Sequence, residues 1–180
     1  MPNPRHVFVV HGRDDQARLA TWGFLQALDL RPLDWEENVR SSGSAAPFLG
    51  QVLARAFEKS QAAVVLLTPD DAASLHPNLH QAAEPDYETK PTGQARPNVL
   101  FEAGMAFALQ PRRTVILEFG RLRPFSDIGG LNVVRVDGSV SRLKQVAERL
   151  RVAGCDVNDR GVDWLDARRF AGLDAYTRRP

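Results

Sequence analysis

Short apolar runs rich in β-branched residues alternate with helical patterns along this chain of 180 residues. The runs are His6–Val10, Leu30–Trp35, Ala62–Thr68, Arg113–Glu118 and Asn132–Asp137. Such runs are typical of strands covered on both faces, and strands separated by helices predict a parallel sheet between two helical layers. We therefore expect a single α/β domain with a five-stranded parallel sheet of order 2-1-3-4-5. Pro32 favours an edge position for the second strand, because a proline cannot donate a ladder hydrogen bond.

Local signals predict three of the helices and one long connection. Asp14 can cap a helix that runs to about Leu28, and Pro47 can begin a second helix with the sequence PFLGQVLARAFEKS. Ser139–Ala153 is the last amphipathic helix. Between strand and helix signals, Pro69–Arg96 holds several prolines and no clear period, so we expect a long, partly disordered excursion there.

Glu102 is the only charged side chain between Val99 and Leu109. Pro97 and Asn98 predict a helix that begins near Val99, with Asn98 accepting from first-turn amides. A helix that is apolar nearly all round is expected to be buried, and a buried carboxylate must pair, protonate or open onto a cleft. The alternative is an acid that the helix dipole favours near the first turn.

The predicted topology gathers several polar segments at one edge of the sheet. Ligands of such sheets bind outside the carboxyl ends of the strands, near the point where the strand order reverses. That rule selects His11–Asp15, Glu36–Ala46, Thr68–Asp71 and the segment that leads to Glu102. We expect these four segments to form the rim of one ligand cleft.

Composition excludes several classes of function. A net charge of +1 and a pI near 8 argue against a broad nucleic-acid-binding face. The single Cys155 cannot form an intramolecular disulfide, and the four histidines lack a zinc-binding spacing, so no metal site is predicted. No run approaches the length of a transmembrane helix and no leader is evident, so we expect a cytoplasmic protein without a membrane partner.

Four sequence motifs, in their order along the chain, carry a family resemblance. They are VFVVHGRDDQAR, VVLLTPDD, RPNVLFEAGMAFAL and PFSDIGGL. Together they resemble the prokaryotic TIR-like domains that serve as effectors in cyclic-nucleotide antiphage signalling, over roughly residues 6–155. The resemblance implies a flavodoxin-like, three-layer fold, and active members of this class cleave NAD at the nicotinamide–ribose bond.

The resemblance also implies roles for individual residues. Glu102 matches the catalytic glutamate, and Glu37–Ala46 matches the loop known in TIR domains as the BB loop. Many relatives carry Gly-[KR]-[ST] where this chain has SGSAAP. The predicted substrate-binding residues come from both loops, the strand ends and the start of the third helix: His11, Gly12, Arg13, Asp14, Trp35, Ser42, Gly43, Ser44, Thr68, Asp70, Asn98 and Phe101.

Several of these candidates have a structural alternative. Arg13 can pair with a pyrophosphate or be a solvated loop residue, and Trp35 can stack on a ring or pack at the strand edge. Asp70 can contact the ligand or, with Asp71, cap a short helix. Asp127 is as compatible with a turn as with a site.

A single carboxylate is enough for the implied reaction. Hydrolysis of an ordinary glycoside needs two carboxylates. One protonates the leaving oxygen, and the other acts as nucleophile or base. Nicotinamide leaves a cationic pyridinium as a neutral molecule, so no proton need be supplied. Glu102 could stabilise the oxocarbenium-like transition state or trap it covalently. NAD is then the substrate, and no cofactor is predicted.

We expect residues 1–155 to form the NAD-cleaving domain, and residues 156–180 to be a tail or the start of a linker. Activation is expected to involve a homo-oligomer, with the sensor on a domain or cyclic-nucleotide-responsive partner outside this chain. Two alternatives remain open: a TIR-type nucleotide-binding or interaction module without turnover, and an enzyme similar to the nucleoside deoxyribosyltransferases, which also use a lone glutamate.

Overall fold

A computed structural model describes residues 1–33, 49–124 and 133–180. Its strands are β1 (Asn3–Val10), β2 (Arg31–Leu33), β3 (Ser60–Leu67), β4 (Asp71–Ala73), β5 (Thr92–Gln94), β6 (Thr114–Phe119) and β7 (Val134–Val136). The main sheet has the order β2-β1-β3-β6-β7, and every neighbouring pair in it is parallel. β4 and β5 lie outside this sheet, so β6 and β7 are its fourth and fifth strands and the order is the predicted 2-1-3-4-5. The predicted edge strands, β2 and β7, lie at the edges.

Helices cover both faces of the sheet. They are α1 (Asp15–Ala27), α2 (Leu49–Lys59), α3 (Pro97–Leu109) and α4 (Val140–Val152). Alternate residues of the strands point to opposite faces, so α1 and α4 share one apolar core and α2 and α3 share the other. The predicted three-layer α/β architecture is confirmed. No helix within the described ranges is long and apolar enough to cross a membrane.

The start of α1 follows its local sequence signal. Asp14 has an extended backbone, and its Oδ1 accepts a hydrogen bond from the Ala17 amide at 2.9 Å. The side chain thereby satisfies one of the amides that a helix leaves unpaired at its first turn. The prediction that Asp14 caps this helix is confirmed.

The start and the environment of α3 differ from the prediction. The helix begins at Pro97, whose missing N–H costs nothing at a first helical position, and the capping residue is Arg96 without a side-chain hydrogen bond. The prediction that Asn98 caps the helix is therefore wrong. The expectation of burial all round is wrong as well, since Phe101 is 59% exposed and Leu109 is 51% exposed.

The connection between β3 and α3 is more regular than predicted. β4 and β5 pair antiparallel to form a short ribbon, and helical turns occur at Pro77–Leu79 and Asp86–Thr89. The Arg123 guanidinium pairs with Glu88, and the Arg123 amide donates to the Gly93 carbonyl at 2.7 Å. The segment expected to be partly disordered is thus an ordered excursion tied to the chain that follows β6.

Residues 156–180, called the C-terminal segment below, pack on the core. Trp164, Phe170 and Leu173 are buried in the cluster that α1 and α4 share. The Phe170 ring meets the Phe24 ring of α1 edge to face, with 6.0 Å between centroids. Near its end the segment contacts the terminus of β6, where a Cβ on Gly120 would lie 1.9 Å from the Ala175 carbonyl oxygen. The segment therefore reaches the carboxyl edge of the sheet.

Candidate active site

The loops that follow β1 and β3 are joined by one carboxylate. Asp70 Oδ2 accepts a hydrogen bond from the Arg13 backbone amide at 2.7 Å. A Cβ on Gly12 would lie 1.9 Å from the same oxygen and 3.3 Å from Arg96 Cγ. Only a glycine allows this close approach, which brings the first loop, the end of β3 and the start of α3 together. Three of the four predicted rim segments therefore meet, as the topology rule required.

Arg178 of the C-terminal segment lies within ion-pair distance of two carboxylates at this junction. Its Nη2 lies 2.8 Å from Asp14 Oδ2, and its Nη1 lies 3.7 Å from Asp70 Oδ1. The two aspartate side chains are 2% and 4% exposed, whereas that of Arg178 is 34% exposed. Both contacts are ion pairs by distance, since neither carboxylate oxygen has an aligned hydrogen bond in the described chain. The Arg178 guanidinium also donates to the Pro69 carbonyl at 3.5 Å.

No sequence signal pointed to Arg178. The residue lies in an arginine-rich stretch near the end of the sequence, without a motif around it. The suggestion that Asp70 and Asp71 cap a short helix is wrong, because Asp71 begins β4 and pairs with Arg96 Nη1 at 2.8 Å. Asp70 instead holds the Arg13 backbone in place.

The other predicted residues lie around the same edge. His11 is half-buried, and its Nδ1 lies 2.9 Å from the Gly12 carbonyl oxygen, a contact that requires the proton on Nδ1. Thr68, directly after β3, is 2% exposed. Asn98 and Phe101 are exposed on the first turns of α3. Four candidates lie outside the described residues, as does Asp127: Trp35, Ser42, Gly43 and Ser44.

Arg13 presents a free cation at this edge. Its backbone amide is held by Asp70, but its guanidinium has no hydrogen bond or ion pair to the described part of the chain. The residue is exposed beside the first turn of α1, where unpaired amides and the helix dipole also favour an anion. An exposed guanidinium beside a helix N-terminus can pair with a phosphate group.

Glu102 is half-buried on α3 and is not paired by any described residue. Its helix is preceded by the capping residue Arg96, next to Gly12, and packs on one face of the sheet together with α2. Burial raises the pKa of this carboxyl from 4.5 to about 7. The charged form is disfavoured because desolvation is not offset by a cation. A carboxylate with a pKa near neutrality in a partly open position is typical of catalytic sites.

The structure is a doubly wound α/β domain in which Glu102 of α3 has no ion-pair partner among the described residues. A model of the family described as "CAP12/Pycsar effector protein, TIR domain" matches residues 6–138, and the chain belongs to this family of antiphage effector domains. The chain is also 28% identical over 158 residues to the Uncharacterized protein YuaY of Escherichia coli strain K12. That alignment covers 85% of this chain and 47% of the relative, so the chain spans about half the length of that protein.

The raised pKa of Glu102 predicts a pH-dependent cost of burial. The stability of the parent should fall as pH rises from about 4.5 to about 7, because the folded state holds the proton more tightly than the unfolded chain. Glu102→Gln stays neutral, so it should be more stable than the parent by ~1–2 kcal/mol at pH 8, after allowance for solvent screening. Urea unfolding at pH 4.5 and 8 measures this difference, which should vanish at the lower pH. A variant less stable than the parent at pH 8 would instead reveal a cationic partner.

Removal of Arg178 should destabilise the domain. Arg178→Gln leaves Asp14 and Asp70 without their cation, and the loss should be ~1–3 kcal/mol because Arg178 itself is partly solvated. Arg160→Gln is the matched control, since Arg160 is exposed and its guanidinium has no hydrogen bond or ion pair to a described residue. The free energy of unfolding of the control should be close to that of the parent. Arg178→Lys keeps a positive charge, so its free energy of unfolding should lie between those of Arg178→Gln and the parent. Equal free energies of unfolding for Arg178→Gln and Arg160→Gln would contradict the electrostatic role of Arg178.

Proposed function

We propose that this domain hydrolyses NAD at the nicotinamide–ribose bond, with Glu102 as the catalytic carboxylate. The observation that carries the proposal is the half-buried Glu102, which has no cationic partner among the described residues and a pKa near 7. Membership of the CAP12/Pycsar effector TIR family supports an antiphage effector role. The relative named above is uncharacterised and adds no activity to this argument.

The substrate supplies the positive charge that the described surroundings of Glu102 lack. The nicotinamide ring of NAD is a cationic pyridinium, and an opposite charge nearby favours the ionised form of a carboxyl. Binding of NAD would therefore lower the pKa of Glu102 and generate the carboxylate where it is needed. The cost of burying that charge in the free protein is then relieved in the complex, most of all as positive charge develops on the ribose.

The proposed reaction consumes NAD and water and yields ADP-ribose, nicotinamide and a proton. The C1′–N bond breaks and its electron pair neutralises the pyridinium, so nicotinamide leaves without a general acid. Glu102 stabilises the oxocarbenium-like centre, and the oxygen of water forms the new bond to C1′. A transient ester with Glu102 gives the same overall balance, because water then releases the carboxylate.

Arg13 is proposed to hold the pyrophosphate of NAD. Its guanidinium is free in the described chain, and its backbone is fixed through Asp70 beside the first turn of α1. His11 and Gly12 complete this loop, with Asp14 and Thr68 beneath it. Asn98 and Phe101 extend the proposed contact surface along α3. The contributions of Trp35, Ser42, Gly43 and Ser44 remain predictions from the sequence.

Glu102→Gln should abolish nicotinamide release. Glutamine keeps the size of the side chain and removes the charge, so the loss should fall on turnover by about 100-fold or more, with binding little affected. Glu58→Gln on the exposed side of α2 is the matched control and should cleave at the parent rate. Free nicotinamide is followed with NAD as substrate, and free base is followed with deoxynucleosides. Normal cleavage by Glu102→Gln would falsify the assignment. If the parent released base from deoxynucleosides but no nicotinamide from NAD, it would be a deoxyribosyltransferase. If it released neither product, it would be an interaction module.

We also propose that activity depends on self-association, with the trigger coming from a sensor domain or partner outside this chain. The exposed apolar side chains of α3 support this proposal, since Phe101 and Leu109 are more than half exposed. Specific activity should rise with protein concentration, and Leu109→Gln should shift the rise to higher concentration while Val162→Gln, at another exposed apolar residue, should not. A flat activity profile in a monomeric sample would contradict the proposal.

A further inference from the structure

A cavity of about 620 Å³ lies between the end of the C-terminal segment and the excursion that precedes α3. Its walls come from Asp86, Tyr87 and residues 90–93 on one side, from residues 176–180 on the other, and from Arg121 after β6. Glu102 and the first loop do not line it. The cavity is therefore separate from the proposed catalytic centre, although both lie at the carboxyl edge of the sheet.

The cavity carries an excess of positive charge. Lys90 is paired with Asp86 at 2.9 Å, and Arg178 is engaged by Asp14 and Asp70. The remaining two arginines, Arg121 and Arg179, have no carboxylate or carbonyl partner in the part of the chain that the structure describes. Two unpaired guanidinium groups in one concave surface raise the local potential and favour an anion. The planar, bidentate guanidinium matches phosphate geometry.

Backbone contacts hold the walls of this cavity together. A Cβ on Gly93 would lie 2.9 Å from the Arg121 carbonyl oxygen and 2.7 Å from Pro69 Cβ, so the excursion and the chain after β6 meet at van der Waals distance. Gly120 has a φ of +70° and contacts the Ala175 carbonyl, which fixes the other side of Arg121. A site assembled before binding needs little ordering when a ligand enters.

Tyr176 forms part of the cavity wall but does not present its hydroxyl there. It lines the cavity, and its hydroxyl is buried without a partner in the described chain. Burial and the nearby Asp137 carboxylate raise the pKa of Tyr176 to about 12, so the hydroxyl adds no negative charge to the wall. Because solvent does not reach the hydroxyl, recognition of an anion in the cavity falls to the guanidinium groups.

We propose that this cavity binds a phosphate-bearing small molecule of mononucleotide size, with Arg121 and Arg179 as its phosphate ligands. The volume is within the range of pockets that enclose small organic ligands and is far larger than a single phosphate ion needs. The proposal concerns binding alone and does not depend on NAD cleavage. Its significance lies in Arg178, which lines the cavity and also holds Asp14, so a bound anion lies beside the group that fixes the first loop.

Isothermal titration of the whole chain with AMP, adenosine and inorganic phosphate tests this site. We expect AMP to bind with an affinity that falls as salt rises, and adenosine not to bind, since the phosphate supplies the recognised charge. Inorganic phosphate should bind more weakly than AMP. The Arg121→Gln, Arg179→Gln double variant should weaken AMP binding by at least about tenfold, because it removes both charge-assisted contacts.

Matched variants keep the result specific to this cavity. Arg160→Gln removes an exposed arginine elsewhere and Glu58→Gln removes an exposed carboxylate of α2, so both should bind AMP as the parent does. Urea unfolding of the double variant should match the parent, since both arginines are exposed. Unchanged AMP binding in the double variant would place the nucleotide elsewhere and overturn the proposal. It would also be overturned if neither AMP nor phosphate bound the parent, or if adenosine bound as well as AMP.

Discussion

The parallel pairing of β3 between β1 and β6 is the constraint on which the rest of the molecule depends. Parallel strands end at the same edge, so the loop after β1 and the turn after β3 must be neighbours. Asp70 can then accept from Arg13, and Gly12 must lack a side chain to admit it. The chain runs from β5 directly into α3, and this places Arg96, at the start of α3, next to Gly12. A different strand order would separate these groups even if every local structure were kept.

The carboxylates of Asp14, Asp70 and Glu102 have two opposite electrostatic environments. Asp14 and Asp70 are nearly inaccessible to solvent, and both face the Arg178 guanidinium. Each also accepts a hydrogen bond from a backbone amide, Asp14 from Ala17 and Asp70 from Arg13, so both hold the chain in place. Glu102 has no such counter-charge among the described residues, and its proton is held to about neutral pH. A group of that kind contributes nothing to folding as an anion, and its charge becomes favourable only when a cation arrives.

Local signals in the sequence were enough for most of the fold. The β-branched runs marked the five strands of the sheet, Pro32 placed β2 at an edge, and Asp14 was recognisable as a cap. What was missed depends on contacts between distant parts of the chain. The exposure of Phe101 follows from which side of α3 meets the sheet, and the pairing of Arg178 with Asp14 joins opposite ends of the sequence. Neither has a periodicity or a spacing that composition could reveal.

The contact between Arg178 and Asp14 has a consequence for the order of events during synthesis. Asp14 leaves the ribosome early, and the strands that surround it can begin to pair while translation continues. Its counter-charge emerges only after β6, β7 and α4 have been made. The junction beneath the first loop therefore cannot be completed on a nascent chain that has not reached residue 178.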